Sequence, residues 1–167
     1  MDEGLHHLQG KTAHVTVTAA IALGSNQGDR RAHLDYAVAR LQGLLTELRV
    51  SSYHETTPAE VSGPQPLFLN AAAVGGTRLS ARELVEALLA IEDERGRRRP
   101  YAKAPRTLDL DLVLLGAAIV DEPGLVVPHP RLRERRFVLE PLAEIAPEMR
   151  DPVSGRTVGE LLNLVLT

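Results

Sequence analysis

Hydrophobic residues along the chain follow two kinds of spacing, one typical of strands and one typical of helices. Alternation of apolar and polar residues buries one face of a strand, and apolar residues three or four positions apart bury one face of a helix. Strand spacing is found at residues 14–23, 49–55, 68–74 and 107–115. Helical spacing is found at residues 34–45, 80–96 and 137–145, and again from residue 157 onwards. The chain is therefore predicted to combine a sheet with helices that pack on it.

Two of the predicted helices carry a recognisable signal at their N-terminal ends. Ser80 lies three residues before Glu83, and Thr157 lies three residues before Glu160. This is the spacing of a capping box, in which the two side chains bond to each other's backbone N–H groups. Both helices are therefore predicted to begin directly after the first residue of each pair.

The order of the elements, β-α-β-β-α-β with further pieces at the C-terminal end, predicts the fold class. An α+β ferredoxin-like sandwich, with two helices on one face of an antiparallel sheet, is the simplest architecture for this order. Gly116-Ala117 is predicted to turn the strand 107–115 into a short hairpin partner at Ile119-Val120. Residues 1–14 are expected to form a flexible extension, which leaves residues 15–167 as a single domain.

The composition narrows the kinds of function to consider. The chain contains no cysteine, which excludes disulfides, thiolate zinc sites and a thiol nucleophile, and which suits the reducing cytoplasm. The net charge of −3 argues against a nucleic-acid-binding protein. No apolar run approaches the length that spans a bilayer, and the first residues lack the hydrophobic stretch of a signal peptide. We expect a cytoplasmic monomer without a nucleic-acid or membrane partner.

Two aspartates on one predicted strand are the first candidates for a functional site. Asp109 and Asp111 share a face of the strand 107–115 and lie about 7 Å apart along it. The opposite face, which is expected to contact the helices, carries Leu108, Leu110, Leu112 and Leu114. Because Mg²⁺ is usually held by one or two carboxylates together with substrate phosphates, the aspartate pair suits a magnesium site. The alternative is a solvated strand face, and the strand pattern alone does not separate the two.

A cluster of cationic residues precedes the acidic strand. Its members are Arg95, Arg97, Arg98, Arg99, Lys103 and Arg106. A guanidinium group can donate two parallel hydrogen bonds to phosphate oxygens. Cations beside two carboxylates are typical of a site for a polyphosphate and a metal ion. The alternative is a solvated run whose arginines pair with the acids at 92–94, and we favour that interpretation for Arg95 and Arg98.

Glu92 occupies an unusual position on the predicted helix 80–96. It lies four residues after Leu88 and eight after Leu84, so it falls near the apolar stripe of the helix. An acid at such a position either reaches water at the helix end or binds a ligand, and we favour the second.

Three further side chains suit a flat polar substrate. Phe68 and Asn70 share one face of the strand 68–74. The Asn amide offers donors and an acceptor to the edge of a heterocycle, and an aromatic ring stacks on its face. Phe137 is a candidate for the second wall. The alternative is that both Phe residues belong to the core, which is the commoner location for a lone Phe.

Five segments of the sequence occur together in the order found in one known family. They are Ala22-Leu23-Gly24-Ser25-Asn26, Tyr53-His54-Glu55-Thr56-Thr57-Pro58, Gln65-Pro66-Leu67-Phe68-Leu69-Asn70-Ala71, Ala104-Pro105-Arg106-Thr107-Leu108-Asp109-Leu110-Asp111, and Val127-Pro128-His129-Pro130 through Phe137. Through these segments, roughly residues 17–150 resemble the 6-hydroxymethyl-7,8-dihydropterin pyrophosphokinase family of folate biosynthesis. The fourth segment is the most specific of the five.

The resemblance implies an activity and a fold. Members of the family transfer pyrophosphate from ATP to the hydroxymethyl group of the reduced pterin, release AMP and use two Mg²⁺ ions. The resemblance also implies a ferredoxin-like fold and makes residues 15–167 a single pyrophosphokinase domain.

The resemblance further implies a role for each site residue. Asp109 and Asp111 would bridge the two Mg²⁺ ions, and Arg97 and Arg106 would be catalytic. The contacts to ATP map onto Glu92, Arg99, His129 and Arg135. The pterin pocket maps onto Thr56, Pro58, Ala59, Phe68, Asn70 and Phe137.

The sequence departs from the family pattern in the basic segment. Many members have Trp-Gly where this chain has Lys103-Ala104, and Tyr101 is the candidate to replace the missing aromatic ring. The segment that carries Arg97, Arg99 and Arg106 is also one residue shorter than in those members.

Two other kinds of function compete with the enzyme. A ferredoxin-like RNA-binding module needs aromatic residues on its sheet and a basic surface, whereas this chain has two Phe, three Tyr and two aspartates on the predicted strand face. A regulatory domain that binds a small ligand and catalyses no reaction would not need the acidic strand and the arginine segment together. An Asp111→Ala variant that loses turnover but keeps its fold would favour the enzyme over both.

Overall fold

The computed structural model describes residues 15–57, 67–96 and 107–167. The strands are β1 (Val17–Ser25), β2 (Thr46–Val50), β3 (His54–Thr56), β4 (Phe68–Thr77), β5 (Asp109–Leu115), β6 (Val120–Glu122) and β7 (Leu125–Val127). The helices are α1 (Arg30–Gln42), α2 (Ala81–Gly96), α3 (Arg136–Ile145) and α4 (Val158–Leu166), with a 3₁₀ turn at Leu132–Glu134. Both predicted capping boxes are present, at Ser80 with Glu83 and at Thr157 with Glu160.

The main sheet is antiparallel throughout and has the strand order β2-β4-β1-β5. β3 also pairs with β4, further along the edge that β2 occupies. β1 and β4 are therefore the central strands, and each connection through α1 or α2 skips one strand. This is the arrangement of a split βαβ sandwich, so the predicted α+β ferredoxin-like fold is confirmed. None of the helices that the structure describes is long and apolar enough to cross a membrane.

Helices cover both faces of the sheet, not one face as the element order predicted. On the first face, α1 and α2 bury a core that includes Ile21, Leu23, Leu34, Leu84 and Leu110. On the second face, α3 and α4 pack over a separate cluster that includes Ala20, Ala72, Val74, Leu139 and Leu142. The small side chains of β1 and β4 on the second face let these short helices approach the strands closely.

A bulge in β5 changes which leucines face which helices. Ala20 pairs with Leu114 and Ile21 pairs with Leu112, so Val113 is the additional residue on β5. Leu112 therefore faces α1 and α2 as predicted, whereas the prediction for Leu114 is wrong, because it packs in the second cluster. The carbonyl of Val113 accepts a hydrogen bond from the His129 backbone N–H (3.0 Å). The bulge thus fixes the segment that carries His129 against the outer edge of β5.

The predicted strand 49–55 is divided into β2 and β3 by a kink at Ser51. The Ser51 backbone N–H donates to the Ala72 carbonyl, and the Ser51 hydroxyl accepts from the Ala72 N–H, each at 2.9 Å. A side-chain oxygen thus replaces one strand partner, so the Ala72 N–H stays paired where the chain bends.

The predicted hairpin after β5 is wrong. Val120–Glu122 does not pair with β5 but with Leu125–Val127, in a separate two-stranded sheet. Gly124, at a φ of +76°, forms part of the turn between them, and glycine adopts this conformation without steric cost.

The C-terminal end of α2 is attached to α1. The Arg95 guanidinium lies 4.8 Å from the Tyr36 ring centroid and donates to His33 Nδ1 (2.9 Å), instead of pairing with the acids at 92–94 as expected. Burial and the nearby Arg95 charge lower the pKa of His33, which keeps the ring neutral and able to accept this bond. Thr107 Oγ1 donates to the Arg95 carbonyl (3.1 Å), so the residues that flank segment 97–106 are held together.

Asp151 is a buried charge that fixes the C-terminal part of the chain. Its side chain is 0% exposed, and its carboxylate accepts hydrogen bonds from the Ser154 hydroxyl (2.6 Å) and the Val153 N–H (3.0 Å). Arg133 Nε lies 3.2 Å from the same carboxylate. The turn before α4 is thereby joined to the 3₁₀ turn before α3.

We expect Asp151→Asn to destabilise the fold by about 2–4 kcal/mol, because Arg133 would lose its anionic partner at a buried site. Urea denaturation would measure the loss as a lower midpoint at an unchanged slope. Asp121→Asn on exposed β6 is the matched control and should change stability by less than about 0.5 kcal/mol. Equal midpoints for the two variants would contradict the assignment.

Candidate active site

The register of three strands brings the candidate polar residues into one row on the second face of the sheet. Gly24 of β1 pairs with Asn70 of β4 on one side and with Asp109 of β5 on the other. Paired residues of an antiparallel sheet point to the same face. Two positions along, Ala22 separates Ala72 from Asp111 in the same way. The acidic strand and the strand of Phe68 and Asn70 thus contribute to one surface.

The described helices cover only the other half of this face. The apolar cluster under α3 and α4 takes in Ala20, Val74 and Leu114. Beyond it along the strands, Ala22 is partly exposed and Asp111 is exposed. The half of the second face that carries Asn70, Gly24, Asp109 and Asp111 is called the site surface below.

The donor set of Asp109 and Asp111 fits Mg²⁺. Both side chains supply hard carboxylate oxygens on one face, with Asp109 partly buried and Asp111 exposed. Among the residues that the structure describes, no third acidic, His or Cys side chain joins them to form a complete protein cage. An ion bound by two carboxylates keeps positions for phosphate oxygens and water, which is how Mg²⁺ is usually held beside a polyphosphate.

Glu92 lies in the apolar stripe of α2, as its position in the sequence indicated, and is 7% exposed. Its Oε2 accepts a hydrogen bond from the Leu110 backbone N–H at 2.6 Å. Because β5 is an edge strand of the main sheet, this carboxylate satisfies an amide that has no strand partner. Glu92 therefore holds β5 between the two aspartates, and its contact with ATP stays a prediction.

A cleft of about 460 Å³ lies between α2, β5 and β7. Glu92, Asp109, Asp111 and His129 line its polar side, and Leu88, Leu89, Leu125 and Val126 are among its apolar residues. The cleft opens beside the aspartate pair, and its size and mixed lining suit a nucleotide base and sugar.

His129 is neutral at the edge of this cleft. Burial lowers the pKa of His129, Arg135 and Arg131 lower it further, and Asp111 opposes them. Nδ1 accepts a hydrogen bond from the Arg131 backbone N–H at 3.1 Å, which places the ring proton on Nε2. His129 therefore presents one N–H donor.

Arg135 and Phe137 form a unit at the beginning of α3. The Arg135 guanidinium lies 5.4 Å from the Phe137 ring centroid, within the range of a cation–π contact. Both side chains are partly buried, which leaves each of them partly accessible to a ligand.

Thr56, Phe68 and Asn70 come together at the other end of the site surface. Thr56 pairs with Phe68 across β3 and β4, and its hydroxyl accepts a hydrogen bond from the Asn70 amide. Asn70 is 6% exposed, so its amide is held by the protein rather than by bulk water. Phe68 and Asn70 lie on the same face of β4, as their spacing in the sequence predicted.

Gly24 is a site position that sequence reasoning missed. It follows the predicted strand 14–23, but it lies within β1, where a Cβ atom would lie 3.1 Å from Asn70 Oδ1 and 4.0 Å from the Phe68 ring. Any side chain would therefore press on the Asn70 amide. A glycine at the end of an apolar strand was the available signal.

The remaining site residues named from the sequence are Pro58, Ala59, Arg97, Arg99 and Arg106, together with the departures at Tyr101, Lys103 and Ala104. They lie outside the described residues. Their roles stay predictions.

Sequence comparison gives the same family as the motifs. The sequence model of the 7,8-dihydro-6-hydroxymethylpterin-pyrophosphokinase family matches residues 20–147. A Bacillus subtilis protein named 2-amino-4-hydroxy-6-hydroxymethyldihydropteridine pyrophosphokinase is 46% identical over 142 residues, covering 83% of this chain and 84% of the relative. A Pseudomonas aeruginosa protein of the same name is 42% identical over 144 residues, covering 85% of this chain and 88% of the relative.

Structural comparison supports the fold. Wild-type Plasmodium falciparum HPPK-DHPS with pteroate superimposes with a TM-score of 0.71 at 13% identity over 90% of this chain. The chain spans 44% of the length of that larger protein. From the family match and the two bacterial relatives, the chain belongs to the 7,8-dihydro-6-hydroxymethylpterin-pyrophosphokinase family.

Proposed function

We propose that this chain transfers pyrophosphate from ATP to the hydroxymethyl group of 6-hydroxymethyl-7,8-dihydropterin, in the synthesis of folate. The observation that carries the proposal is the row Asn70, Gly24 and Asp109 across three adjacent strands. It sets an amide suited to a heterocycle beside a carboxylate suited to a metal ion. The names of the relatives describe the same substrate and the same reaction.

The pterin is bound by the end of the site surface on β3 and β4. The Asn70 amide, oriented by Thr56, faces the polar edge of the ring, and Phe68 contacts its flat side. Phe137, at the beginning of α3, forms the opposite wall. Pro58 and Ala59 complete this pocket in the assignment that the family resemblance supplies.

ATP is bound by the cleft between α2, β5 and β7. His129 donates through Nε2–H, Arg135 supplies a positive charge, and Glu92 holds β5 in place. Arg99 is assigned to ATP by the resemblance. Asp109 and Asp111 would hold two Mg²⁺ ions, which would neutralise part of the triphosphate charge.

The reaction forms one bond and breaks one bond. The pterin hydroxyl oxygen attacks the β-phosphorus of ATP, the bond from that phosphorus to the α–β bridging oxygen breaks, and AMP leaves with the electron pair. The hydroxyl proton passes to solvent. Arg97 and Arg106 are assigned to the developing negative charge, since their guanidinium groups stay charged throughout.

Product analysis tests this function. We expect AMP to form from ATP only when both the pterin and Mg²⁺ are present, with one pterin diphosphate per AMP. Formation of ADP would replace pyrophosphoryl transfer by transfer of a single phosphoryl group. A folded protein that forms neither product would refute the enzyme assignment.

Asp111→Asn should abolish most turnover without unfolding the protein. Asp111 is exposed on the site surface, so its replacement removes a metal ligand and leaves the core intact. We expect kcat to fall at least about 100-fold, since a catalytic metal contributes several kcal/mol to the transition state. Asp121→Asn serves again as the control and should retain full activity. Wild-type turnover by Asp111→Asn would contradict the metal assignment.

Gly24→Ala should weaken pterin binding selectively. The added methyl group would lie 3.1 Å from Asn70 Oδ1 and displace the amide by a few tenths of an ångström. We expect KM for the pterin to rise about tenfold with KM for ATP unchanged, because small misplacements in a site are costly. Gly43→Ala is the control, since a Cβ there would meet only the Arg40 carbonyl at an ordinary 3.7 Å. A pterin KM unchanged by Gly24→Ala would show that the row does not bind the pterin.

A further inference from the structure

One carboxylate joins the C-terminal end of α3 to the chain between β2 and β3. Glu144 Oε2 accepts a hydrogen bond from the Ser52 backbone N–H (2.9 Å). Glu144 Oε1 accepts from the Ser52 hydroxyl (2.8 Å) and lies 3.0 Å from His54 Nε2. Beside it, Arg49 donates to the Ile145 carbonyl (2.7 Å). Glu144 therefore makes three of the polar contacts that fasten α3 to the edge of the sheet.

Both sides of this junction lead into the proposed pterin pocket. On the sheet side, His54 pairs with Asn70, and Thr56, two residues further on β3, accepts the Asn70 hydrogen bond. On the helix side, Phe137 lies seven residues before Glu144 on the same face of α3, about 10 Å away along the helix axis. The junction thus connects the amide of the pocket to its aromatic wall.

We propose that Glu144 is a positioning residue for the pterin pocket, because it sets the gap between Phe137 and the Asn70 amide. The inference rests on the proposed function, in which Asn70 binds the polar edge of the pterin and Phe137 contacts one of its flat sides. Glu144 lies two helical turns from the pocket and acts through the orientation of α3. It is not a catalytic residue.

The geometry of the cluster excludes a different role as a hydrolytic triad. In such a triad the histidine uses one ring nitrogen for the serine and the other for the acid. Here the Ser52 hydroxyl and the Glu144 carboxylate both approach Nε2 of His54, at 3.3 Å and 3.0 Å. The serine therefore has no base that a second group orients, and the cluster is suited to holding two elements together.

The ionised form of Glu144 suits this role. The hydrogen bond from the Ser52 backbone N–H, with those from His54 and the Ser52 hydroxyl, lowers the pKa of Glu144. The carboxylate is therefore charged at neutral pH and accepts from the Ser52 N–H and the Ser52 hydroxyl, and from His54 Nε2 when that nitrogen carries a proton.

The fold should survive loss of the carboxylate. Leu139 and Leu142 of α3 remain buried in the second cluster, and the Arg49 contact to Ile145 remains in place. Removal of the Glu144 carboxylate should then change the orientation of α3 while the helix stays packed on the sheet.

The test compares binding of each substrate with turnover in Glu144→Ala, Glu144→Gln and wild-type protein. We expect Glu144→Ala to raise KM and Kd for 6-hydroxymethyl-7,8-dihydropterin about tenfold, with KM for ATP within a factor of two. Glu144→Gln keeps one acceptor oxygen and should restore part of the pterin affinity. Ser52→Ala, which removes only the hydroxyl partner, should raise the pterin KM about threefold. The exposed residue Glu148 provides the control, and Glu148→Ala should match wild type.

The other outcomes would count against the role proposed for Glu144. Unchanged pterin affinity in Glu144→Ala, or an equal loss of affinity for both substrates, would reduce Glu144 to a stabilising contact. If Glu144→Ala failed to fold, unchanged pterin binding in the milder variants Glu144→Gln and Ser52→Ala would overturn the proposal. Wild-type protein that neither binds the pterin nor forms AMP would refute the proposed function itself, and the inference with it.

Discussion

The register of β1 between β4 and β5 is the constraint on which the site depends. Strands in a sheet lie about 4.8 Å apart, so Asn70 and Asp109, each paired with Gly24, are separated by about 10 Å across the sheet. A slip of one residue would turn Ile21 and Leu23 out of the core beneath α1 and α2, so burial on one face fixes the arrangement on the other. The packing of the core thus sets the spacing between the proposed pterin and metal sites.

One half of the second face of the sheet contributes to stability, and the other half carries the proposed site. Where β1 and β4 carry Ala20, Ala72 and Val74, α3 and α4 cover the strands and bury apolar surface. Where the row of Asn70, Gly24 and Asp109 follows, the strands present polar groups and a glycine instead. α3 belongs to both halves, since its buried leucines hold it on the sheet while Phe137 stands at its beginning.

Local patterns predicted much of this molecule, and long-range pairing decided the rest. The acidic pair, the shared face of Phe68 and Asn70, and both capping boxes follow from periods and spacings within a few residues. The bulge that turns Leu114 to the second face arises from pairing with β1, which the sequence of β5 does not reveal. Arg95 is bonded to His33, 62 residues away, and no local charge pattern indicates that partner. Gly24 is important because a Cβ atom there would press on the Asn70 side chain of the neighbouring strand.

Paramagnetic relaxation tests most directly the claim that the row on the site surface sets the pterin beside the metal ions. Mn²⁺ would replace Mg²⁺ in a complex of the protein with the pterin and a non-hydrolysable ATP analogue. The proposed arrangement predicts strong broadening of the hydroxymethyl proton resonances of the bound pterin, since the ion and the pterin would lie within about 10 Å. That broadening should be lost in Asp111→Asn. Bound pterin whose resonances are not broadened by bound Mn²⁺ would contradict the account.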